Sequence, residues 1–241
     1  MANVDPAQEQ LAARLAGIRA RIEAAAKNCR RDPGEVRLIA ISKTHPASVI
    51  KRVIEFGALD IGENRVQEAE GKIAEVGRDA ARWHLVGHLQ ANKARRAVNL
   101  FDVIHSLDSI DLAQRLDRLC QEEGRDRLAV LVQVDLGHEE TKSGIDESEL
   151  THLVEGLGPL HRLELTGLMT LPPFFDDPEQ SRPYFRRLRQ LRDKLAARGA
   201  FGASKGELSM GMTNDFEVAI EEGATMVRVG TAIFGERGPR H

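Results

Sequence analysis

Aromatic side chains are scarce in this 241-residue chain: eight Phe, one Tyr and one Trp, or 4% of the whole. With 41% hydrophobic residues, a core has to come mainly from Ala, Val, Ile and Leu, as in helix-covered parallel sheets. Cysteine is nearly absent. Cys29 and Cys120 stand far apart and belong to no Cys-x-x-Cys, so neither a disulfide framework nor a thiolate zinc site is indicated, and a reducing cytoplasm fits best. Charge of one sign is missing too: 34 Lys and Arg face 37 Asp and Glu, and the net charge of -3 gives no general attraction to phosphate backbones or anionic membranes. A nucleic-acid role would need a local patch. The opening residues lack the basic start and apolar stretch of a signal peptide, and no later run approaches a membrane span. The expectation is a soluble intracellular protein. There is no Walker loop and no Gly-x-Gly-x-x-Gly, so nucleotide binding has no motif behind it.

What is present is alternation. Leu11, Leu15, Ile18 and Ile22 mark one face of a leading helix within residues 1–30. Thereafter short apolar runs predict strands over 37–42, 59–62, 82–89, 103–107, 128–136, 163–170, 208–212 and 226–230, with amphipathic stretches between them. Each intervening stretch is long enough to cross back over a sheet. With no Ser/Gly/Pro linker or low-complexity tract, eight such alternations predict a single (β/α)8 barrel domain over 1–241, the leading helix packed on it. The runs at 59–62 and 208–212 are short, and if they are loops the alternative is a six-stranded open sheet. The prolines of Leu171–Pro178 forbid helix and central strand, which places a surface loop near the barrel mouth.

In a barrel, chemistry gathers at the carboxyl ends of the strands. Lys43 follows the first run, where a lysine in a partly dry site can lose its proton and form a Schiff base with an aldehyde; alternatively its stem lies along apolar surface and its charge stays in water. After the seventh and eighth runs come Ser209-Met210-Gly211 and Gly230-Thr231-Ala232. Barrels often bind phosphate at these loops, through backbone N–H groups, hydroxyls and a helix terminus. Tight turns and caps, with Asn214 and Glu217 as a capping-box-like pair, fit the same residues. His84 and His88 share a strand face in this reading but lack a third metal ligand, so structural or hydrogen-bonding roles fit better. Lys93, Arg95, Arg96 and the run Arg186-Arg187-Leu188-Arg189 read as wet helix faces before they read as polyanion contacts.

Five segments together carry a resemblance. They are Ile41-Ser42-Lys43-Thr44, Gly62 to Glu68, Trp83 to Lys93, Leu208 to Asp215 and Val227 to Gly235. In this order and spacing the chain resembles the pyridoxal phosphate homeostasis proteins, also called the proline synthetase co-transcribed family, whose barrel is similar to the N-terminal domain of alanine racemases. The resemblance implies pyridoxal 5'-phosphate (PLP) as cofactor, Lys43 as the Schiff-base lysine, Ser209, Gly230 and Thr231 on the phosphate, Arg228 at the pyridine nitrogen, and Asn64 and Met210 lining the pocket. Thr213 and Asn214 stand where many relatives carry Ser and Asp, beyond the expected phosphate contacts.

An arginine against the ring nitrogen keeps that nitrogen unprotonated and weakens the ring as an electron sink. The resembling racemases also use a tyrosine associated with a further β domain. This sequence ends soon after the eighth strand, and its one tyrosine, Tyr184, falls in an expected outer helix. The expected function is therefore PLP carriage or buffering in vitamin B6 homeostasis without efficient turnover. PLP-dependent amino-acid racemisation is the alternative, and an interaction protein using the basic helices is a third class. PLP-dependent apoenzymes are the expected acceptors, and a cytoplasmic monomer is the expected state.

Overall fold

The computed structural model describes residues 6–137 and 143–235. Residues 1–5 of the segment read for targeting signals lie outside the described residues, as do 138–142 and the closing 236–241 of the expected 1–241 unit. Eight strands form the sheet: β1 Arg37–Ile41, β2 Asp60–Glu63, β3 Arg82–Leu85, β4 Val103–Leu107, β5 Leu128–Gln133, β6 Leu163–Met169, β7 Glu207–Ser209 and β8 Met226–Val229. They pair in chain order, all parallel, and β1 closes the barrel on β8 through Arg37 to Ala40 opposite Met226 to Val229. The open six-stranded alternative is thereby excluded, and both short runs are strands.

Nine helices among the described residues surround the sheet: α1 Pro6–Asn28, α2 Ala47–Glu55, α3 Val66–Val76, α4 Ala94–Leu100, α5 Ile110–Glu122, α6 Leu150–Gly156, α7 Arg182–Ala196, α8 Phe216–Glu221 and α9 Thr231–Phe234. Period decides which side chains they bury. In α5, Leu112, Leu116 and Leu119 recur at helical spacing and face the sheet, while Ser109 caps the first turn by accepting from the Leu112 N–H. The stripe Leu11, Leu15, Ile18 and Ile22 of α1 is buried against α8, α9 and α2, and Arg21 tops that contact by lying 4.5 Å over the Phe216 ring and pairing with Glu217. Glu217 therefore does not act in a capping box. The α8 N-terminus has Asp215 at its cap, and Asn214 donates instead to the Phe175 carbonyl at 3.0 Å.

Three strands stop well before their apolar runs do. β3 ends at Leu85, β5 at Gln133 and β7 at Ser209, and Val86, Leu89, Val134 and Met210 bury apolar surface in the loops beyond. Hydrophobicity marks burial there, not ladder pairing. His84 and His88 consequently do not share a strand face: His84 is inside the barrel, and His88 sits half-exposed in the next loop with Nδ1 3.2 Å from Asp108.

Candidate functional site

Lys43 follows β1 after one residue, in a turn closed by the His45 N–H on the Ser42 carbonyl at 3.1 Å. Thr44 holds φ 69°, a left-handed conformation that costs a β-branched residue ~1–3 kcal/mol. The surroundings enforce it. Thr44 N–H donates to Glu68 Oε1 at 2.5 Å, and the buried Lys72 ammonium donates to the Ser42 carbonyl at 2.7 Å and to Glu63 and Glu68 at 2.6 Å each. Ser42 Oγ completes the cluster on Glu63 at 2.5 Å. Burial raises the Glu63 carboxyl above its ordinary range, with Lys72 working against the rise. Burial also acts to raise Glu68, but the bonds from Lys72 and the Thr44 amide outweigh it and the net shift is downward. These ions sit beneath the turn and fix the backbone that carries Lys43.

On the neighbouring strand β8, which pairs with β1, Arg228 is 4% exposed. Its guanidinium donates to Ser209 Oγ at 2.6 Å and to the Thr170 carbonyl at 2.9 Å. Burial pushes its pKa down to about 10, opposed by the charge of Asp215.

Lys43 and Arg228 line one cavity of about 360 Å³ at the carboxyl ends of the strands, within the size range of small-molecule sites. Asn64, Gly230 and Thr231 line it too, so the structure brings together five of the seven residues singled out from sequence. Ser209 and Met210 are not among its lining. Ser209 is wholly buried behind Arg228, and Met210 belongs to the core. The wall expected from them comes from Met212, Thr213 and Asn214. Gly211, at φ +89°, turns the chain between the two sets, and a Cβ there would lie 2.6 Å from Ala219 Cβ. Among the described residues the amides of Thr213 and Asn214 make no backbone hydrogen bond, and the first amides of α9 have no acceptor within their helix. Free N–H groups around glycine turns suit an anion. The proline-rich loop after β6 forms the rim through Leu171, Pro173, Phe174 and Phe175, with Phe174 75% exposed.

Sequence reasoning missed this aromatic rim, the Lys72 cluster and His105. The polar pair His105-Ser106 inside the run Val103–Leu107 was the available signal for His105. The arginines of the basic runs are paired: Arg95 with Glu122 and Glu123, Arg96 with Glu70, Arg187 with Glu147, and Arg186 and Arg189, together with the preceding Arg182, with Glu222. They are wet helix faces. Tyr184 stacks on Phe175 at 6.0 Å and is outside the cavity lining. A larger cleft of about 570 Å³ lies near the amino end of β6 beside α6 and the end of α7, but neither the lysine nor the buried arginine reaches it. Among the described residues no cluster of three His, Cys, Asp or Glu could hold a metal, and no helix is long and apolar enough to cross a membrane.

Comparison with known proteins agrees with this geometry. The family described as alanine racemase, N-terminal domain, matches residues 13–238. The pyridoxal phosphate homeostasis protein of Escherichia coli (strain K12) is 41% identical over 236 residues, covering 94% of this chain and 97% of that protein. The homologue from Aquifex aeolicus (strain VF5), which bears the same name, is 41% identical over 224 residues, covering 93% and 97%. PipY of Synechococcus elongatus PCC7942, solved with PLP bound, superposes with TM-score 0.80 at 38% identity, covering 94% of this chain and all of PipY. Alanine racemase of Clostridium difficile 630 shares the fold at TM-score 0.66 and 15% identity, over 92% of this chain and 60% of the racemase. With its closed barrel, its lysine after β1 and this near-complete match, the chain belongs to the pyridoxal phosphate homeostasis protein family, within the alanine racemase N-terminal domain fold.

Proposed function

We propose that this protein binds PLP in the β-barrel mouth, with residues 1–241 as one cofactor-binding unit, and serves PLP homeostasis as a carrier or buffer. The carrying observation is the convergence of a lysine amine, a buried arginine and unpaired loop amides on one cavity. Lys43 Nζ holds the aldehyde covalently. The amides of Thr213, Asn214 and Thr231, approached closely over Gly230, hold the phosphate, with the Thr213 and Thr231 hydroxyls as further donors. Arg228 faces the pyridine nitrogen, Asn64 flanks the ring, and Ser209 acts from behind Arg228. Met210 packs beneath the loop without touching the ligand.

Bound there, PLP supplies an electrophilic aldehyde and an electron-withdrawing ring. Arg228 can only donate, so a ring nitrogen accepting from it stays unprotonated, and that lowers the ring's capacity to stabilise a carbanion. This favours holding the cofactor over turning amino acids over with it. The exposed Phe174 rim suits a site that ligands enter and leave, with PLP-dependent apoenzymes as the receivers. We place the activity in the cytoplasm, consistent with two free cysteines, and in a monomer, which light scattering checks.

The test is an absorption spectrum of purified protein, borohydride reduction and peptide mapping. The reading requires a yellow protein with the reduced adduct on Lys43; a protein that takes up no added PLP overturns it. Exchange of an amino-acid α-proton in deuterated water, faster than with free PLP and lost in Lys43→Ala, would establish a racemase instead.

A further inference from the structure

A line of buried polar groups runs through the barrel behind the cavity. Arg228 Nη1 lies 2.6 Å from Ser209 Oγ, Ser209 Oγ 2.9 Å from His105 Nδ1, His105 Nε2 2.9 Å from His84 Nδ1, and His84 Nε2 2.9 Å from Asp60 Oδ1. Ser209, His105 and His84 are fully buried, while the Asp60 side chain is 20% exposed at the start of β2, the opposite end of the barrel from the cavity. We propose that Asp60, His84, His105 and Ser209 form a hydrogen-bond chain of single direction that positions Arg228 toward the pyridine nitrogen of the cofactor.

The direction follows from the two ends. A guanidinium can only donate and a carboxylate can only accept, so every group between them must accept from one neighbour and donate to the next. His84 therefore carries its proton on Nε2, facing Asp60, and its Nδ1 accepts. His105 likewise carries its proton on Nε2, facing His84, and its Nδ1 accepts from the Ser209 hydroxyl. The hydroxyl proton is thus committed to His105, which leaves the oxygen free to accept from Arg228. The second arginine nitrogen is anchored on the Thr170 carbonyl at 2.9 Å, and Thr170 is held by its own hydroxyl on Val134 O at 2.9 Å. Burial lowers the pKa of both histidines, and the charges of Arg37 and Arg82 act on both in the same sense. Arg228 adds to this at His105, while Asp60 opposes it at His84. Neutral imidazoles satisfy all four bonds without adding a second charge beside the Arg228 guanidinium. These four are positioning residues: they touch Arg228 or one another, not the ligand.

The role toward the ring rests on the PLP reading above, so the test has an arm that does not need PLP. Nitrogen NMR of ¹⁵N-histidine-labelled protein free of cofactor reads each tautomer. At about pH 7 to about pH 8 both His84 and His105 are expected neutral with the proton on Nε2. In Asp60→Asn the amide oxygen can accept in the carboxylate's place while Arg228 still only donates at the other end, so both histidines are expected to keep the proton on Nε2. Ser209→Ala removes the acceptor of Arg228, leaves both histidine tautomers in place, and weakens PLP binding about tenfold. His105 carrying its proton on Nδ1, in the wild type or in Asp60→Asn, overturns the chain. Correct tautomers in a protein that takes up no PLP overturn the role assigned toward the ring and the cofactor reading together, while leaving the proton arrangement intact.

Discussion

The two walls of the cavity hold their cations by different means. On the β1–β2 side the Lys43 turn rests on the buried ions Lys72 and Glu63, on the partly exposed Glu68, and on a strained Thr44. On the β7–β8 side Arg228 rests on a hydroxyl, a carbonyl and neutral imidazoles. An ion cluster places a backbone turn and leaves the lysine side chain itself free to react. Neutral acceptors pin a guanidinium without cancelling its charge. The contrast teaches that the reactive amine is positioned through its backbone, and the arginine through its head group.

The comparison is broken most completely at the amine. Lys43→Ala is expected to abolish the borohydride-trapped adduct while leaving the unfolding midpoint close to wild type, since the stabilising contacts in that turn belong to Ser42, Thr44 and Lys72. Mass mapping and a denaturant titration read the two halves of that statement.

Next is the ion cluster. Lys72→Met leaves Glu63 buried without its cation, and Glu63 Oε2 already has no partner among the described residues. A loss of about 3–5 kcal/mol in urea unfolding is expected. The sign with pH is fixed by Glu63, whose folded pKa is raised: its favourable contribution is full below the unfolded value of 4.5 and is lost as pH rises through the folded one. Without Lys72 that pKa rises further, and Glu68, whose pKa is lowered, forfeits stability that was present above 4.5. Both make the deficit larger at pH 7 than near pH 5. A deficit independent of pH would remove the ion cluster from the account.

On the opposite wall, Gly211→Ala places a Cβ against Ala219 and Phe216 at a left-handed φ, with an expected loss of about 2 kcal/mol in unfolding and displaced phosphate contacts. Arg228→Lys keeps the charge and loses the two-headed anchor. PLP affinity is expected to fall about tenfold, roughly 1.4 kcal/mol, by equilibrium dialysis. The smallest effect belongs to the rim: Phe174→Ser is expected to change stability within about 0.5 kcal/mol, because the ring is 75% exposed, while altering the rates of PLP uptake and release.

Much of this was legible beforehand. Apolar alternation located all eight strands, and the lysine after the first was visible from its place alone. The absence of Ser209 and Met210 from the cavity lining has a physical source. β7 is three residues long, and the turn at Gly211 redirects the chain so that Met212, Thr213 and Asn214 face the cavity. A short strand gives too few alternations to assign faces, and one step of register exchanges inside for outside. The capping-box reading failed because Asn214 and Glu217 found partners in the loop after β6 and in α1, both remote in sequence.

By itself, then, the sequence determined the barrel, since strand and helix periods are local properties of a few residues each. It also determined the chemistry on offer, because an amine after the first strand and glycines after the last two can be read without coordinates. Only the tertiary structure decided which groups meet. The ion cluster joins β1, β2 and α3, and the imidazole line joins β2, β3, β4, β7 and β8. Closing the barrel excludes water from its interior, and each buried polar group then takes its partner from a neighbouring strand or, as His105 on β4 does with Ser209 on β7, from across the interior.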